Sequence, residues 1–371
     1  MTVIKDLYFR MKQPCFSFLP EFNSYITSSI SRATYGYYYG AFTGYRESGV
    51  DTDKKHIIKL NVDLSIDTSF DVGIGFNQIL YSGSSILEQP DGKIIVTGTF
   101  TSYKGVSAQR IIRLNPDGSN DNTMGAFWGG LNYTQVPALQ SDGKIIVTNG
   151  CYRYRDTYGE HWSPMIARLN ADGTYDNTFV VGNGFNQPTL SVVSNSDKSM
   201  IITGYFGSYK GVACSGGIIK LDQYGEKDNT FNSGVGFYPY GPRNPNYVIK
   251  AEGETSFYVH GYFTSYKGVS ENHIIKIQQN GDKDTSFITG TGLNGISWAG
   301  SIIWNDKVFL EGAFTTYNGT IAAGLIILNA DGSVLFAPQE ANYDTPIIIG
   351  DSLYAKDAEG CLMLMYKLIQ R

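Results

Sequence analysis

The residues able to do chemistry are few and scattered. Of the four histidines, His56 and His273 sit alike, each just before an Ile-Ile run, whereas His161 and His260 lie elsewhere in the pattern. General acid-base work needs titratable groups held together, and no Gly-x-Ser-x-Gly elbow supports a Ser-His-Asp arrangement. Framework histidines are the expectation. Cys15, Cys151, Cys214 and Cys361 are far apart and form no Cys-x-x-Cys pair. A structural zinc site wants close ligand pairs, so four separate thiols are expected, with no metal and no cofactor, in a reducing assembly compartment. Asn-x-Asp-Gly strings at Asn115, Asn170 and Asn329 suggest calcium at first. They lack the alternating acids and closing Glu of a calcium loop, and Asp-Gly is what a tight turn requires.

Aromatic and guanidinium groups offer more. Tyr45, Tyr103, Tyr154, Tyr209, Tyr266 and Tyr317 recur at one position of a repeated string, either as a belt of loop aromatics for interaction or as packing with a bonded hydroxyl. Irregular segments are better candidates for specificity, because repetition is explained by building the frame. One is the arm Met1 to Glu21. Another is the insertion Arg153 to Ser163, with Arg153, Arg155, Glu160, His161 and Trp162. The third is the proline-rich stretch Phe237 to Tyr247, with Tyr238, Tyr240, Arg243 and Tyr247. These residue types are enriched at binding hot spots. The expected interaction residues are therefore Tyr238, Tyr240, Arg243, Tyr247, Arg153, Arg155 and Trp162.

The elements that must position them follow from three repeating columns. A Gly-x-Phe-Thr-Ser-Tyr-like string begins at residues 40, 98, 204, 261 and 312, with a decayed copy at 149. An Ile-Ile-basic-Leu run ends at Leu60, Leu114, Leu169, Leu221, Ile277 and Leu328, with a seventh candidate at Met365 to Leu368. An Asn opens each unit at 23, 77, 132, 186, 294 and 342, with Tyr238 in the remaining slot. The shared spacing, close to 50 residues, makes the chain one array of repeats and not two or three unrelated domains.

Composition agrees. Gly at 43 residues and aromatics at 14% against 17% charged residues suit twisted sheet with many turns. The formal charge of -5 gives no general reason to bind nucleic acid or an anionic membrane. No apolar run approaches the roughly 20 residues of a membrane span, and Met1 to Arg10 lacks the apolar core of a secretory signal.

Within each unit the pattern reads strand, tight turn, strand, loop, strand, turn, short strand. Runs such as Lys93 to Val96 and Lys144 to Val147 are apolar on both faces and should be covered twice. Four-stranded sheets buried on both faces and repeated about an axis are β-propeller blades. The expected fold is all-β: a single propeller over residues 22–371, with seven blades of mostly four antiparallel strands. Six blades with a C-terminal extension is the alternative. Residues 1–21 form an arm, and the Lys12 to Phe18 part is expected to close the ring as the outer strand of the last blade. Phe16-Ser17-Phe18 echoes Asp67 to Phe70 (DTSF) and Asp176 to Phe179 (DNTF).

The strings GTFTSYKG, IIRLNPDGS, DNTF and QPDGKIIVTG together resemble the delta-60 repeat propellers, a group without an assigned activity found in bacteriophage structural proteins and bacterial surface proteins. The resemblance runs over about residues 22–340. It departs in the third unit, at Asn149, Cys151 and the Arg153 to Ser163 insertion. It implies an interaction scaffold and supplies no catalytic residues. Candidate inner strands such as Thr189 to Val193 and Ile296 to Ser301 are nearly without charge, which argues against an active site on the axis. The expectation is a non-enzymatic structural protein of a phage particle, in the tail or host-adsorption apparatus. It would assemble in the host cytoplasm with other virion proteins, in multiple copies. The alternative is a carbohydrate-binding propeller, extracellular or on a cell surface, with host-surface glycan as partner. Nucleic acid and membrane insertion are not expected.

Overall fold

The computed structural model describes residues 21–22, 28–33, 36–40, 45–47, 50–51, 56–61, 66–78, 85–108, 110–128, 136–148, 153–162, 164–214, 216–239, 245–250, 255–297, 301–304, 306–339, 344–349, 352–356 and 362–367. Every regular element among them is a β-strand. The chain divides into two compact units, residues 1–121 with 341–371, and residues 122–340.

Each unit is built from antiparallel meanders of three strands. In the first unit they are Ser28–Ala33 with Gly36–Gly40 and Ile57–Leu60, Ser85–Glu88 with Ile94–Thr97 and Ile111–Leu114, and Asp344–Ile349 with Ser352–Lys356 and Leu362–Lys367. The second unit repeats the motif from Val136–Leu139, from Thr189–Ser194 and from Asn246–Ile249, and adds one four-stranded sheet from Ile302–Trp304. Middle and third strands such as Ile94–Thr97, Ile145–Thr148 and Ile218–Leu221 are buried at every residue. Both faces are covered, as their unbroken apolar runs require.

The expected fourth strand is a correction. In four repeats it shrinks to a single bridge, Leu114 to Asn120, Leu169 to Tyr175, Leu221 to Lys227 and Ile277 to Lys283. The cause is a side-chain pair eight residues apart. Lys59 meets Asp67, Arg113 meets Asp121, Arg168 meets Asp176 and Lys220 meets Asp228, at 3.2, 2.7, 2.6 and 3.0 Å. Lys276 and Asp284 are 3.8 Å apart, with the Ser256 hydroxyl donating to Asp284 at 2.8 Å. The backbone repeats the link, each Asp N–H donating to the carbonyl of its basic partner. In the Asp67, Asp176, Asp228 and Asp284 copies the same carboxylate also accepts the N–H and hydroxyl of the Ser or Thr two residues on. An Asx turn of this kind bends the chain away from the sheet. It then carries Phe70, Phe179, Phe231 and Phe287 into the core.

Where the pair is missing, the strand forms. Ile327 and Leu335 stand in those two positions, and there Val334–Phe336 pairs with Leu325–Leu328.

A second correction concerns the Tyr-Lys-Gly loop. It is a hairpin of its own, in which Tyr103 pairs with Val106, Tyr209 with Val212 and Tyr266 with Val269. Lys104 and Gly105 both take positive φ, 49° and 77°, the combination of a two-residue I′ turn whose twist suits paired strands. Its tyrosine packs on two other repeated rings: Phe76 lies 4.4 Å from Phe100 and 4.7 Å from Tyr103, centroid to centroid. The same trio recurs at Phe185, Phe206 and Tyr209, and at Phe237, Phe263 and Tyr266.

Each tyrosine hydroxyl donates to the carbonyl of the Gly in the tight turn that follows the third strand: Tyr103 to Gly118, Tyr209 to Gly225, Tyr266 to Gly281 and Tyr317 to Gly332, at 2.7 to 2.9 Å. Tyr154 bonds Gly173 in the same way. The recurring tyrosines are therefore internal fasteners, and the belt reading does not hold for these five. The Tyr45 side chain lies outside the described residues. Gly118 has φ +80°, and a Cβ there would lie 2.5 Å from the Asp71 carbonyl oxygen.

The expected N-terminal strand, residues 12–18, falls outside the described residues, as does the arm to residue 20.

Two outcomes follow. Arg168→Ile removes one of the two cations on Asp176 and leaves Lys144 in place, so it is expected to lower stability by about 1.5–3 kcal/mol, whereas the double variant R168I/D176L, which imports the Ile327 and Leu335 arrangement, recovers most of that loss in a urea-melt double-mutant cycle. Asp67, Asp176, Asp228 and Asp284 face burial that would raise their pKa, but the hydrogen bonds and cations around them win and hold each below its ordinary value. Their contribution is full above the unfolded-state carboxylate pKa of about 4 and is lost as pH falls through the lower folded values. Urea midpoints should stay level from pH 7 to about 5 and drop steeply below about 4.

Candidate functional site

The third repeat departs from the others at its outer hairpin. Tyr154 is the fastener there, yet it reaches Gly173 across 19 residues where Tyr103 reaches Gly118 across 15. The added residues lengthen the hairpin into the strands Arg153–Asp156 and Gly159–Trp162, the first also pairing with Ala126–Trp128.

Alternation sorts the added side chains onto two faces. Cross-strand partners Tyr154 and His161 lie on the inner face, and Tyr154 is fully buried. Partners Arg153 with Trp162, and Arg155 with Glu160, share the outer face. The equivalent outward pair next to the tyrosine is Ser102 with Ser107, Ser208 with Ala213, Ser265 with Ser270 and Thr316 with Ile321 in other repeats. The pair is small in the first three of these, and here it is an indole and a guanidinium.

The outer face is an interlocked charged array. Glu160 accepts from Arg153 at 2.6 Å and from Arg155 at 3.2 Å, and the two arginines hold its carboxyl below the ordinary glutamate value. The Arg153 guanidinium lies 6.0 Å from the Trp162 ring centroid, within cation–π range. Arg153, Glu160 and Trp162 line an open depression of about 260 Å³.

The inner side makes the hairpin rigid. Asp156 accepts the N–H groups of Tyr158 and Tyr175, each at 2.8 Å, and meets His161 Nε2 at 3.2 Å. Burial would raise its pKa, but these partners hold the carboxyl below its usual value. His161 stacks flat on Tyr175 at 4.3 Å, and the Tyr175 hydroxyl donates to the Trp162 carbonyl at 3.1 Å.

The structure thus brings Arg153, Arg155 and Trp162 together. Tyr238 stands apart, exposed on the strand Phe237–Tyr238. Its carbonyl accepts the Thr264 N–H at 2.8 Å, filling the slot where Asn77, Asn186 and Asn294 use a side-chain oxygen on the same backbone. Tyr247 is half-buried, 5.6 Å from the His260 ring, and burial pushes its hydroxyl pKa up to about 12. Tyr240 and Arg243 lie outside the described residues. Asp156 and Tyr175 went unnoticed in the sequence. Tyr175 had a signal, since it stands where Asn120, Lys227 and Lys283 stand in other repeats.

Other titratable groups are framework. His260 is fully buried, lowered to about 3 by desolvation, with Nδ1 2.9 Å from the Ser297 hydroxyl. His273 Nδ1 bonds the Gly261 carbonyl at 2.8 Å. Cys214 is a free thiol held above its usual pKa by burial; the other cysteines lie outside the described residues. Asp117, Asp172 and Asp331 each accept the N–H and hydroxyl of the residue two on, so the Asn-x-Asp-Gly strings act as turns. Among the described residues, no group of three or more His, Cys, Asp or Glu is placed to hold a metal ion, and no helix is long and apolar enough to cross a membrane.

The described residues form an all-β series of repeated antiparallel meanders. A family model described as a domain of unknown function (DUF5122) beta-propeller matches residues 89–123, 154–179 and 258–287, so these three segments are similar to repeats of a propeller family of unknown function. No curated protein sequence is significantly similar to it.

Solved structures of similar fold include a gluconolactonase from Xanthomonas campestris, at 11% identity and TM-score 0.36, covering 80% of this chain and 97% of that one. A virginiamycin B lyase from Staphylococcus aureus has 12% identity and TM-score 0.39 over 77% of this chain and 84% of its own. An ancestral GH74 enzyme has 11% identity and TM-score 0.46 over 94% of this chain and 49% of its own. The expectation of a protein without catalytic activity is withdrawn on this finding, because these propellers are enzymes. Uncharged inner strands do not decide the matter when loops carry function. At such identities and scores, no activity, substrate or residue passes to this chain.

The hairpin's outer face is expected to be dispensable for folding. R153S/W162S, which restores the residues of the Ser265–Ser270 pair, should shift Tm by less than about 3 °C, while Tyr209→Phe, which deletes a buried fastener, should cost about 1 kcal/mol. Thermal melts of the two variants check the contrast.

Proposed function

We propose that the chain is a structural protein of a bacteriophage particle, in the host-adsorption apparatus, with the propeller as frame and the Arg153–Trp162 hairpin as its outward recognition element. On this reading the repeats are of delta-60 type, the sheets form seven blades, and the N-terminal segment closes the last of them. One observation supports closure: Ser28–Ala33 lies against both Ser85–Glu88 and Asp344–Ile349, strands of one compact unit.

The observation that carries the proposal is the contrast between repeats. Buried ion pairs, tyrosine fasteners and Asn caps make a frame, whereas one repeat has four further residues and an exposed Arg-Glu-Arg-Trp face. Multiple copies on a particle would multiply a weak contact by avidity.

The test is association with particles. Phage purified from infected host cells should contain the chain at a fixed copy number by quantitative mass spectrometry, and cryo-EM should place its propeller in the tail region with residues 153–162 facing outward. A chain that stays in the soluble lysate fraction, away from sedimented particles, would remove the particle reading.

A further inference from the structure

We propose that the packing between the fourth and fifth repeats encloses a binding site for ordered water, held by the Thr203 hydroxyl and the Asn246 carboxamide. Such a site belongs to the frame and is independent of the recognition hairpin.

Equivalent positions show how the two side chains meet. Thr203 and His260 each stand in a buried middle strand, just before Gly204 and Gly261. Thr189, Asn246 and Ser297 pair with Gly204, Gly261 and Gly312. Between the fifth and sixth repeats the two positions touch, with His260 Nδ1 2.9 Å from the Ser297 hydroxyl. Thr203 and Asn246 occupy the same two positions one repeat earlier.

Strand register puts both in one space. Thr203 shares a sheet face with Ile201 and pairs with Ile218, while Asn246 shares a face with Val248. Ile201, Ile218 and Val248 belong to a single apolar cluster, and Met200–Gly204 lies against Asn246–Ile249. The two polar side chains therefore flank that cluster together, and both are fully buried.

Their polar atoms are unanswered. Among the described residues, Thr203 Oγ1 and both the Oδ1 and Nδ2 of Asn246 have no hydrogen-bond partner. Buried groups of this kind are costly unless something small and polar bonds to them. The occupant must both give and accept hydrogen bonds, because a hydroxyl does both, Oδ1 only accepts and Nδ2 only donates. Water does so, and a buried water takes two to four polar partners. A metal cation would need a set of oxygen ligands, and Nδ2 offers it only hydrogens. Bulk agrees with this choice. Thr203 with Asn246 has one non-hydrogen side-chain atom fewer than His260 with Ser297, a difference the size of one water oxygen. His260 Nε2 also lacks a partner, but His260 pairs with Tyr247, on the opposite sheet face from Asn246, and takes no part.

The experiment is a crystal structure of the full chain refined with solvent, beside oxygen-17 relaxation dispersion of the chain and of T203H/N246S, which imports the His260 and Ser297 pair. Expected is a water oxygen within about 2.5–3.2 Å of Thr203 Oγ1 and of one atom of the Asn246 carboxamide. The double variant should carry at least one long-lived water fewer. The proposal is overturned if Thr203 and Asn246 bond directly to each other, if the space between them is dry, or if a peak there sits among oxygens at about 2.0–2.6 Å, as a metal ion would. An unchanged number of long-lived waters in a folded double variant overturns it as well. Should that variant fail to fold, the crystal structure of the natural chain decides alone.

Discussion

One interaction organises the repeats, the pair between the basic residue of the third strand and an aspartate eight residues on. Burying two charges is costly unless their hydrogen bonds are all answered, and here they are answered closely. Arg168 donates to Asp176, to the Thr178 hydroxyl and to the Gln223 carbonyl, and lies over the Phe179 ring. Lys144 adds a second cation on Asp176 at 2.7 Å. The pair adds little net attraction. Its effect is to dictate where the chain leaves the sheet and which phenylalanine enters the core next. The repeat with Ile327 and Leu335 in place of the pair makes the point by contrast, since the chain there continues as a fourth strand.

A frame specified this tightly tolerates novelty only where it is not bonded to itself. Tyrosine fasteners lock the base of each outer hairpin to the glycine of the turn after the third strand, so the hairpin tip can lengthen without disturbing what lies below. The third repeat shows that freedom in use. Four more residues extend the ladder, Tyr154 still reaches its glycine, and alternation delivers every added charge but one to the outer face. Asp156 alone turns inward, where it stiffens the hairpin.

Much of the frame was legible in the sequence because its signals are periodic. Apolar runs such as Ile94 to Val96 announced strands covered on both faces, and they are buried throughout. The fourth strand was misread because Asp121 and its equivalents look like strand ends when taken alone. Their constant eight-residue distance from Arg113, Arg168 or Lys220 was in the sequence, but its meaning depends on both residues being buried. The tyrosines could be read either way, since a recurring aromatic looks the same whether it faces water or a carbonyl. At the candidate site, Arg153, Arg155 and Trp162 stood out as an irregular cluster, whereas Tyr238 and Tyr247 shared only a segment, and strand pairing separated their environments.

The sequence by itself determined the all-β repeat, the residue types that build each unit and the segment in which one unit differs. Those are properties of spacing, which a linear string carries in full. Only the tertiary structure decided that Lys and Arg of one strand end on the Asp eight residues later, that five tyrosines point inward, and that Arg153, Glu160 and Trp162 share a face. Each of these depends on which side of a strand a residue occupies and what lies opposite it, and that is settled by strand register and burial.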